Sequence, residues 1–197
     1  MYKLTALAVY SCGTETKPAT AGNKEGAMKM RYGTAAALAA SLFAFAAARA
    51  AADTLKFPEN YAAGVHYATI DRPDLKQIRD LYATQATIDA AKKGALPSGT
   101  VLTMVQYKAN LDDKNNPVKD ANGKLVKGDL LAYFVMEKHT GWGADQPADK
   151  HAGEWRFQAF TPDRKINDKV NVSACSGCHI PHAADDFVIT FAKLKGN

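Results

Sequence analysis

The chain has 197 residues, with 25 Lys and Arg side chains against 20 Asp and Glu, which gives a net charge of +5. Residues 1–52 carry six of the basic and two of the acidic side chains, so residues 53–197 hold 19 basic and 18 acidic ones. This near balance excludes the strongly basic surface on which nucleic-acid binding depends, and we expect no nucleic-acid partner.

Residues 28–52 have the pattern of a cleaved secretory signal. Basic residues lie at positions 29 and 31, an alanine-rich apolar run follows over 35–48, and small residues at 48–52 offer cleavage sites. The run is too short for a membrane span, so we expect none in the mature chain. Residues 1–27 fit no part of such a signal, and we interpret them as a misassigned extension. The mature chain, residues 53–197, is long enough for one domain, and export predicts a periplasmic location.

In chain order, the mature chain shows four strand patterns and one clear helix pattern. Alternation of β-forming residues predicts strands over 65–70, 100–108, 130–138 and 154–160. The segment 75–83 is ambiguous, because its apolar residues have helical spacing but its length does not decide. Thr84 or Thr87 is a suitable N-cap for a helix that ends at Gly94. The strands are too close together for helical crossovers, so we expect an α+β fold, a mainly antiparallel β-sheet with a few packed helices.

The stretch Cys175-Ser176-Gly177-Cys178-His179 has the C-x-x-C-H form of a c-type haem attachment site. Two cysteines three positions apart lie on one side of a helical turn, where both sulfurs can reach the same edge of a macrocycle. His179 follows directly and is then carried to the iron as its proximal ligand. Ser173 is a suitable N-cap for this turn. The pattern predicts one covalently attached haem c, with its iron.

Three other interpretations of the two cysteines are open at this point. A structural zinc site usually needs four protein ligands, and the chain has no second cysteine pair. A thioredoxin-like redox pair needs a βαβ context and gives no role to His179. A disulfide between Cys175 and Cys178 also leaves the histidine unexplained. Haem attachment is the interpretation that uses all three residues.

The chain resembles the cytochrome P-460 and cytochrome c′-beta superfamily over nearly all of residues 53–197. The matching segments are residues 57–61, 78–79, 92–94, 99–101, 133–137, 153–155, 175–179 and 186–190. The late haem motif followed by the tail Asp186-Phe187-Val188-Ile189-Thr190 is the most specific part. The resemblance implies a mainly antiparallel sheet with packed helices, one haem c and a homodimer. It also implies that 75–83 is a strand.

The resemblance further suggests residues on the distal side of the haem. Relatives that oxidise hydroxylamine carry a pocket carboxylate at the position of Glu137, where it can take protons from a bound nitrogen substrate. Apart from the resemblance, Glu137 is a strand-end residue that faces solvent beside Lys138. Arg79 could donate hydrogen bonds into the pocket or to a haem propionate. The alternative for Arg79 is a surface ion pair with Asp80 or Asp74.

Met104 marks a departure from the namesake enzymes of this superfamily. In those relatives a lysine on the strand after the G-T-V turn is joined covalently to the haem ring. The matching position here is Met104, so we expect no lysyl cross-link. Three roles are open: an apolar cap of the distal pocket, a weak axial ligand of the iron, or a gap-filling core residue. Met136 is expected on the strand face opposite Glu137, which makes Met104 the better ligand candidate.

These features predict an exported mono-haem c-type cytochrome that binds, and redox-converts, small haem ligands such as nitric oxide, hydroxylamine or peroxide. If it is an enzyme, we expect a haem-dependent oxidoreductase, by hydroxylamine oxidation or a peroxidase-like reaction. A redox partner protein is also expected. The alternative is an electron-transfer cytochrome whose iron is held by His179 and Met104, without substrate turnover.

Overall fold

A computed structural model describes residues 55–144, 146–147 and 149–196. They form one five-stranded sheet in the order β1-β2-β3-β4-β5, and every neighbouring pair is antiparallel. The strands are β1 (Val65–Arg72), β2 (Gln77–Ala83), β3 (Val101–Ala109), β4 (Lys127–Lys138) and β5 (Trp155–Phe160). The helices are α1 (Gln85–Lys93), α2 (Ser173–His179) and α3 (Phe191–Leu194), with 3-10 turns at Tyr61–Ala63, Pro73–Leu75 and Ile180–Asp185.

The predicted α+β fold with a mainly antiparallel sheet is confirmed. No helix within the described ranges has the length and apolar character needed to cross a membrane. The predicted extension and signal peptide, residues 1–52, lie outside the described residues.

The ambiguous segment 75–83 is a strand for most of its length. A 3-10 turn leads to Lys76, whose left-handed φ of 54° turns the chain, and β2 begins at Gln77. Ile78 and Leu81 are both buried, although they point to opposite faces of the sheet. A central strand with two buried faces carries apolar residues on both, and this produced the misleading helical spacing. The strand implied by the resemblance is confirmed.

Helix α1 has the predicted cap and end. The side chain of Thr84 accepts a hydrogen bond from the backbone N–H of Thr87 at 3.1 Å, which satisfies one of the N–H groups that a helix start leaves without a partner. Gly94 follows the last turn with a φ of 131°. Ile88 and Ala91 then pack their side chains against the sheet.

The two faces of the sheet are covered by different parts of the chain. The face that we call the helix face supports a buried cluster of Ala83, Ile88, Ala91, Leu96, Leu102, Met136, Trp155, Val188, Phe191 and Leu194. The opposite face, the tyrosine face, supports Leu55, Val105, Tyr133, Val135 and Phe160, with Phe57, Tyr61, Tyr82 and Tyr107 packed on them. Because successive residues of a strand alternate between faces, the register decides which side chains meet the C-terminal helices.

The register aligns the helix-face side chains in rows that cross the sheet. The first row is Phe157, Met136, Leu102 and Ala83, the second is Ala159, Phe134, Met104, Leu81 and Ala68, and the third is Ala132, Gln106, Arg79 and Ile70. The first row lies among the residues of α1 and α3, whereas Met104 and Phe134 in the second row are only half-buried. The helix face therefore presents a partly open apolar row beside a more polar one.

Candidate functional site

Helix α2 holds the C-x-x-C-H stretch. Neither Cys175 nor Cys178 is in a disulfide, and both side chains are half-buried. The predicted cap at Ser173 is wrong, because Ser173 is already the first residue of the helix. Asn171 satisfies the helix start instead: its side-chain oxygen accepts from the Ser173 N–H at 3.2 Å, and its carbonyl accepts from the Ala174 N–H at 3.2 Å.

His179 is held in one orientation and one tautomer. Its Nδ1 lies 2.6 Å from the carbonyl oxygen of Phe187. A carbonyl can only accept, so Nδ1 carries the proton and Nε2 keeps its lone pair. The imidazole also lies against the ring of Phe157, with 4.8 Å between ring centroids. Phe157 is a first-row residue, so His179 belongs to the helix face.

The protonation state of His179 suits metal ligation. Burial lowers the pKa of the imidazole below its usual range; the hydrogen bond to Phe187 opposes this shift, and nearby His182 adds to it. A buried neutral imidazole with a fixed Nδ1–H and an unprotonated Nε2 is the form that binds iron. With two thiols on the same helix, the donor set fits a haem c.

The chain returns to His179 through a tight turn after the 3-10 helix Ile180–Asp185. The Asp186 N–H donates to Ala183 O at 3.2 Å, and the Phe187 N–H donates to His182 O at 2.8 Å. This pair of bonds is a Schellman motif, in which the residue at the Asp186 position takes a left-handed conformation and is usually Gly. Here Asp186 has φ 51° and Phe187 has φ 60°. The left-handed conformation costs a bulky residue such as Phe187 roughly 1–2 kcal/mol and costs an aspartate less, so other contacts must offset this penalty.

Lys138 holds this turn against the sheet. Its Nζ lies 2.8 Å from each carboxylate oxygen of Asp186 and donates to Leu96 O at 2.9 Å. The same carboxylate accepts the Leu96 N–H at 2.9 Å, and Asp186 O accepts the Trp155 Nε1–H at 2.9 Å. The Lys138 and Asp186 side chains are only 11% and 14% exposed. Such a buried, fully hydrogen-bonded ion pair strongly fixes the geometry of the groups it joins.

The Phe187 ring packs on Gly153, just before β5. A Cβ at Gly153 would lie 2.4 Å from Cε2 of Phe187, and Gly153 has a φ of 57°. Both the backbone conformation and the ring therefore require glycine here. The turn that carries the Phe187 carbonyl is thus fixed by an ion pair on one side and by ring packing on the other.

The other interpretations of the cysteines do not agree with this structure. Among the described residues, no group of three or more His, Cys, Asp or Glu side chains could hold a metal ion, so a structural zinc set is not assembled there. The sheet is an antiparallel meander and provides no βαβ unit for a thioredoxin-like pair. Cys175 and Cys178 do not form a disulfide.

Glu137 does not share the face of His179. It pairs in register with Val101 and Arg156 and points to the tyrosine face, where its carboxylate lies 2.6 Å from Nε2 of His139. Its side chain is 23% exposed, so it is neither a fully solvated glutamate nor a residue of the helix face. Glu137 and Met136 therefore point to opposite faces of the sheet, because one position along a strand reverses the face of the side chain.

Arg79 does lie on the helix face, in the third row beside Gln106. Its Nη2 donates to Gln77 Oε1 at 3.3 Å, and the Gln106 amide donates to the same oxygen at 2.5 Å. Both carboxylates considered as its ion-pair partners bind another cation. Asp80 points to the tyrosine face and pairs with Lys127, and Asp74 pairs with Arg72.

Met104 also lies on the helix face, between Leu81 and Phe134 in the second row. The expected face of Met136 is correct, but it does not make Met104 the better ligand candidate. Met136 does point away from Glu137, as expected, but that is the same face as Met104 and His179. Burial now separates the two methionines, since Met136 is 9% exposed within the core cluster and Met104 is half-buried.

A cavity of about 240 Å³ lies beside α2, along β5. It is lined by Gln146, Lys150, His151, Trp155, Arg156, Phe157, Gln158, Val172, Ser173 and Ser176. Three of these side chains are basic or imidazole, and none of these lining residues is acidic.

Lys138, Phe187 and Asp186 were not identified as site residues from the sequence. The segment 186–190 matched the resembled superfamily but gave no residue a role, and Lys138 and Asp186 are separated by 48 positions. One signal was available. Alternation along β4 puts Lys138 on the same face as Met136, and a lysine at an inward position needs a partner.

Residues 58–190 of the chain match the cytochrome P460 family. The matched range contains all five strands, helix α2 and the turn at Asp186 and Phe187. No curated protein matches the chain.

Proposed function

The chain belongs to the cytochrome P460 family, whose members are haem-binding c-type cytochromes, and from this membership we propose that it is an exported mono-haem cytochrome that binds and redox-converts small haem ligands. Nitric oxide, hydroxylamine and peroxide are the proposed ligand class. In this proposal Cys175 and Cys178 hold the haem by thioether bonds, and His179 ligates the iron. The haem supplies a redox-active iron that binds small diatomic or nitrogenous ligands.

The observation that carries the proposal is the hydrogen bond between His179 Nδ1 and the Phe187 carbonyl. It leaves Nε2 as the only ring nitrogen that can bind a metal, and burial lowers the pKa of the imidazole, which favours the neutral ring. The protein's contribution is therefore a ligand already oriented and deprotonated at the right atom.

We propose that the partly open rows of the helix face form the surface that a small ligand meets. Met104 and Phe134 exclude water there, since both are apolar. Arg79 donates hydrogen bonds to a bound ligand or to a haem propionate. These side chains share the helix face with Phe157, and Phe157 contacts His179, which supports placing them beside the haem. Glu137 is not included, so proton transfer during turnover has no assigned carboxylate in this proposal.

An electron-transfer cytochrome with His179 and Met104 on the two sides of the iron is the second candidate. The observation in its favour is that Met104 is half-buried on the helix face rather than packed into the core cluster. Met/His ligation raises the haem potential and closes the sixth position to external ligands.

The test of haem attachment is a pair of variants on α2. Replacing Cys175 and Cys178 with Ala should release all haem into acidified organic solvent. Gly177→Ala is the matched control, because a Cβ at Gly177 meets nothing within 4 Å, and it should keep covalent haem. Complete extraction of haem from the wild-type protein would refute attachment.

Optical spectra of the ferric and ferrous protein, with and without nitric oxide, separate the two candidates. A ferrous high-spin spectrum that shifts on addition of nitric oxide supports ligand binding. A ferrous low-spin spectrum that resists nitric oxide supports the electron carrier.

We also propose a homodimer and a periplasmic location with a redox partner protein, to be tested by light scattering and cell fractionation. A monomer mass at micromolar concentration would remove the dimer.

A further inference from the structure

We propose that Lys138 and Asp186 are positioning residues for the iron ligand: their ion pair holds the Phe187 carbonyl at Nδ1 of His179 and thereby sets the ligand strength of the imidazole. The inference rests on the proposed haem function, because it concerns the bond that His179 makes to iron. It assigns a role to a buried charged pair that haem attachment does not require.

The backbone of the turn is left-handed at two successive residues. Asp186 and Phe187 both have positive φ values, of 51° and 60°. Glycine is the residue that normally occupies the Asp186 position of such a turn, because it has no Cβ to clash. Aspartate tolerates this conformation better than most residues, but the bulky Phe187 that follows it does not, so the surrounding structure must hold the turn.

Hydrogen bonds to Asp186 hold the turn in this conformation. The Asp186 carboxylate binds Lys138 Nζ through both oxygens at 2.8 Å and accepts the Leu96 N–H at 2.9 Å. Lys138 in turn donates to Leu96 O, and Trp155 Nε1 donates to the Asp186 carbonyl. Every one of these partners lies on the sheet or on the segment that leads into β3. The ion pair therefore connects the turn to the sheet and to the segment before β3.

The Phe187 carbonyl links the turn to His179. Phe187 directly follows Asp186, so the direction of its carbonyl depends on the φ and ψ angles of both residues. That carbonyl lies 2.6 Å from His179 Nδ1. A short bond to a fixed acceptor increases the basicity of the imidazole toward a metal at Nε2, and a more basic ligand stabilises ferric over ferrous iron. Loosening the turn should lengthen the bond and favour the ferrous state.

The test compares Lys138→Met and Asp186→Asn in the haem-loaded protein. Both variants remove the ion pair with little change of shape. We expect each to raise the ferrous-to-ferric ratio at fixed potential by about tenfold, or ~59 mV for one electron. The iron–histidine stretching frequency of the ferrous protein, measured by resonance Raman spectroscopy, should fall in both. The double variant should match the single ones, since both changes act through one contact.

The sign of the two shifts separates positioning from direct electrostatics. Loss of a positive charge at Lys138 and of a negative charge at Asp186 would change the potential in opposite directions if charge alone acted. Positioning predicts the same direction for both. Glu59→Gln is the matched control, because it removes an exposed ion pair with Arg164, 2.6 Å long, that has no contact with His179. It should leave the potential and the Raman frequency unchanged.

Trp155→Phe keeps the inference testable if either charge variant fails to retain haem. It removes the N–H donated to the Asp186 carbonyl and part of the buried indole that lies against Lys138 Nζ, while both charges stay in place, and it should shift both readouts in the same direction by a smaller amount. Opposite shifts for the two charge variants, or unchanged readouts in every variant with attached haem, would overturn the inference. A wild-type protein without covalent haem would instead overturn the proposed function.

Discussion

The packing of Phe187 on Gly153 leads to a quantitative prediction for Gly153→Ala. Gly153 has a φ of 57°, and an added Cβ would lie 2.4 Å from Cε2 and 2.9 Å from Cδ2 of the Phe187 ring. The left-handed backbone costs an alanine roughly 1–2 kcal/mol. Overpacking against the ring adds roughly 1–3 kcal/mol. We expect a total loss of about 2–5 kcal/mol in the free energy of unfolding.

Gly123→Ala is the matched control for this loss. Gly123 has a similar left-handed φ of 75°, but a Cβ there meets nothing within 4 Å. It should therefore lose only the backbone part, about 1–2 kcal/mol. The difference between the two variants isolates the contact with Phe187.

The assay is urea unfolding of both variants and the wild type, followed by circular dichroism. The slopes of free energy against urea should agree, so that the midpoints report stability alone. Equal losses in Gly153→Ala and Gly123→Ala would refute the packing argument and, with it, the fixed position of the Phe187 turn.

Three further predictions follow from the placement of single side chains. Met104→Ala should remove any ferrous low-spin signal and speed the binding of nitric oxide or carbon monoxide; unchanged spectra and on-rates would show that Met104 neither ligates nor gates the iron. Glu137→Gln should leave hydroxylamine oxidation unchanged, because its carboxylate points to the tyrosine face, and a loss of ~10²-fold would restore it as a general base. Burial acts to raise the pKa of Asp80, but hydrogen bonds from Lys127 and Thr69 outweigh this and hold that pKa below its usual range. The associated stability is present above the ordinary aspartate pKa and is lost as pH falls through the lower folded value, so Lys127→Met should move the acid-unfolding midpoint to higher pH.

The sequence predicted the features that depend on neighbouring residues. The strand patterns and the start and end of α1 follow from alternation, a threonine cap and a terminal glycine, and all of these are confirmed. The C-x-x-C-H stretch lies on one short helix, so the sequence brought its two thiols and its imidazole together without a distant contact, although the orientation of His179 depends on Phe187 and Phe157. The resemblance supplied the strand over 75–83, which local spacing alone left undecided.

Only the tertiary structure decided which face of each strand meets α2. Glu137 and Met104 are both in well-predicted strands, yet they point to opposite faces, and the sequence could not say which face His179 would join. That choice depends on the packing of Phe157 and the C-terminal helices, which come later in the chain. The anchoring of Phe187 by Lys138 and Asp186 was also decided by the tertiary structure. A buried charge needs a partner, and here folding brings that partner from a distant part of the chain.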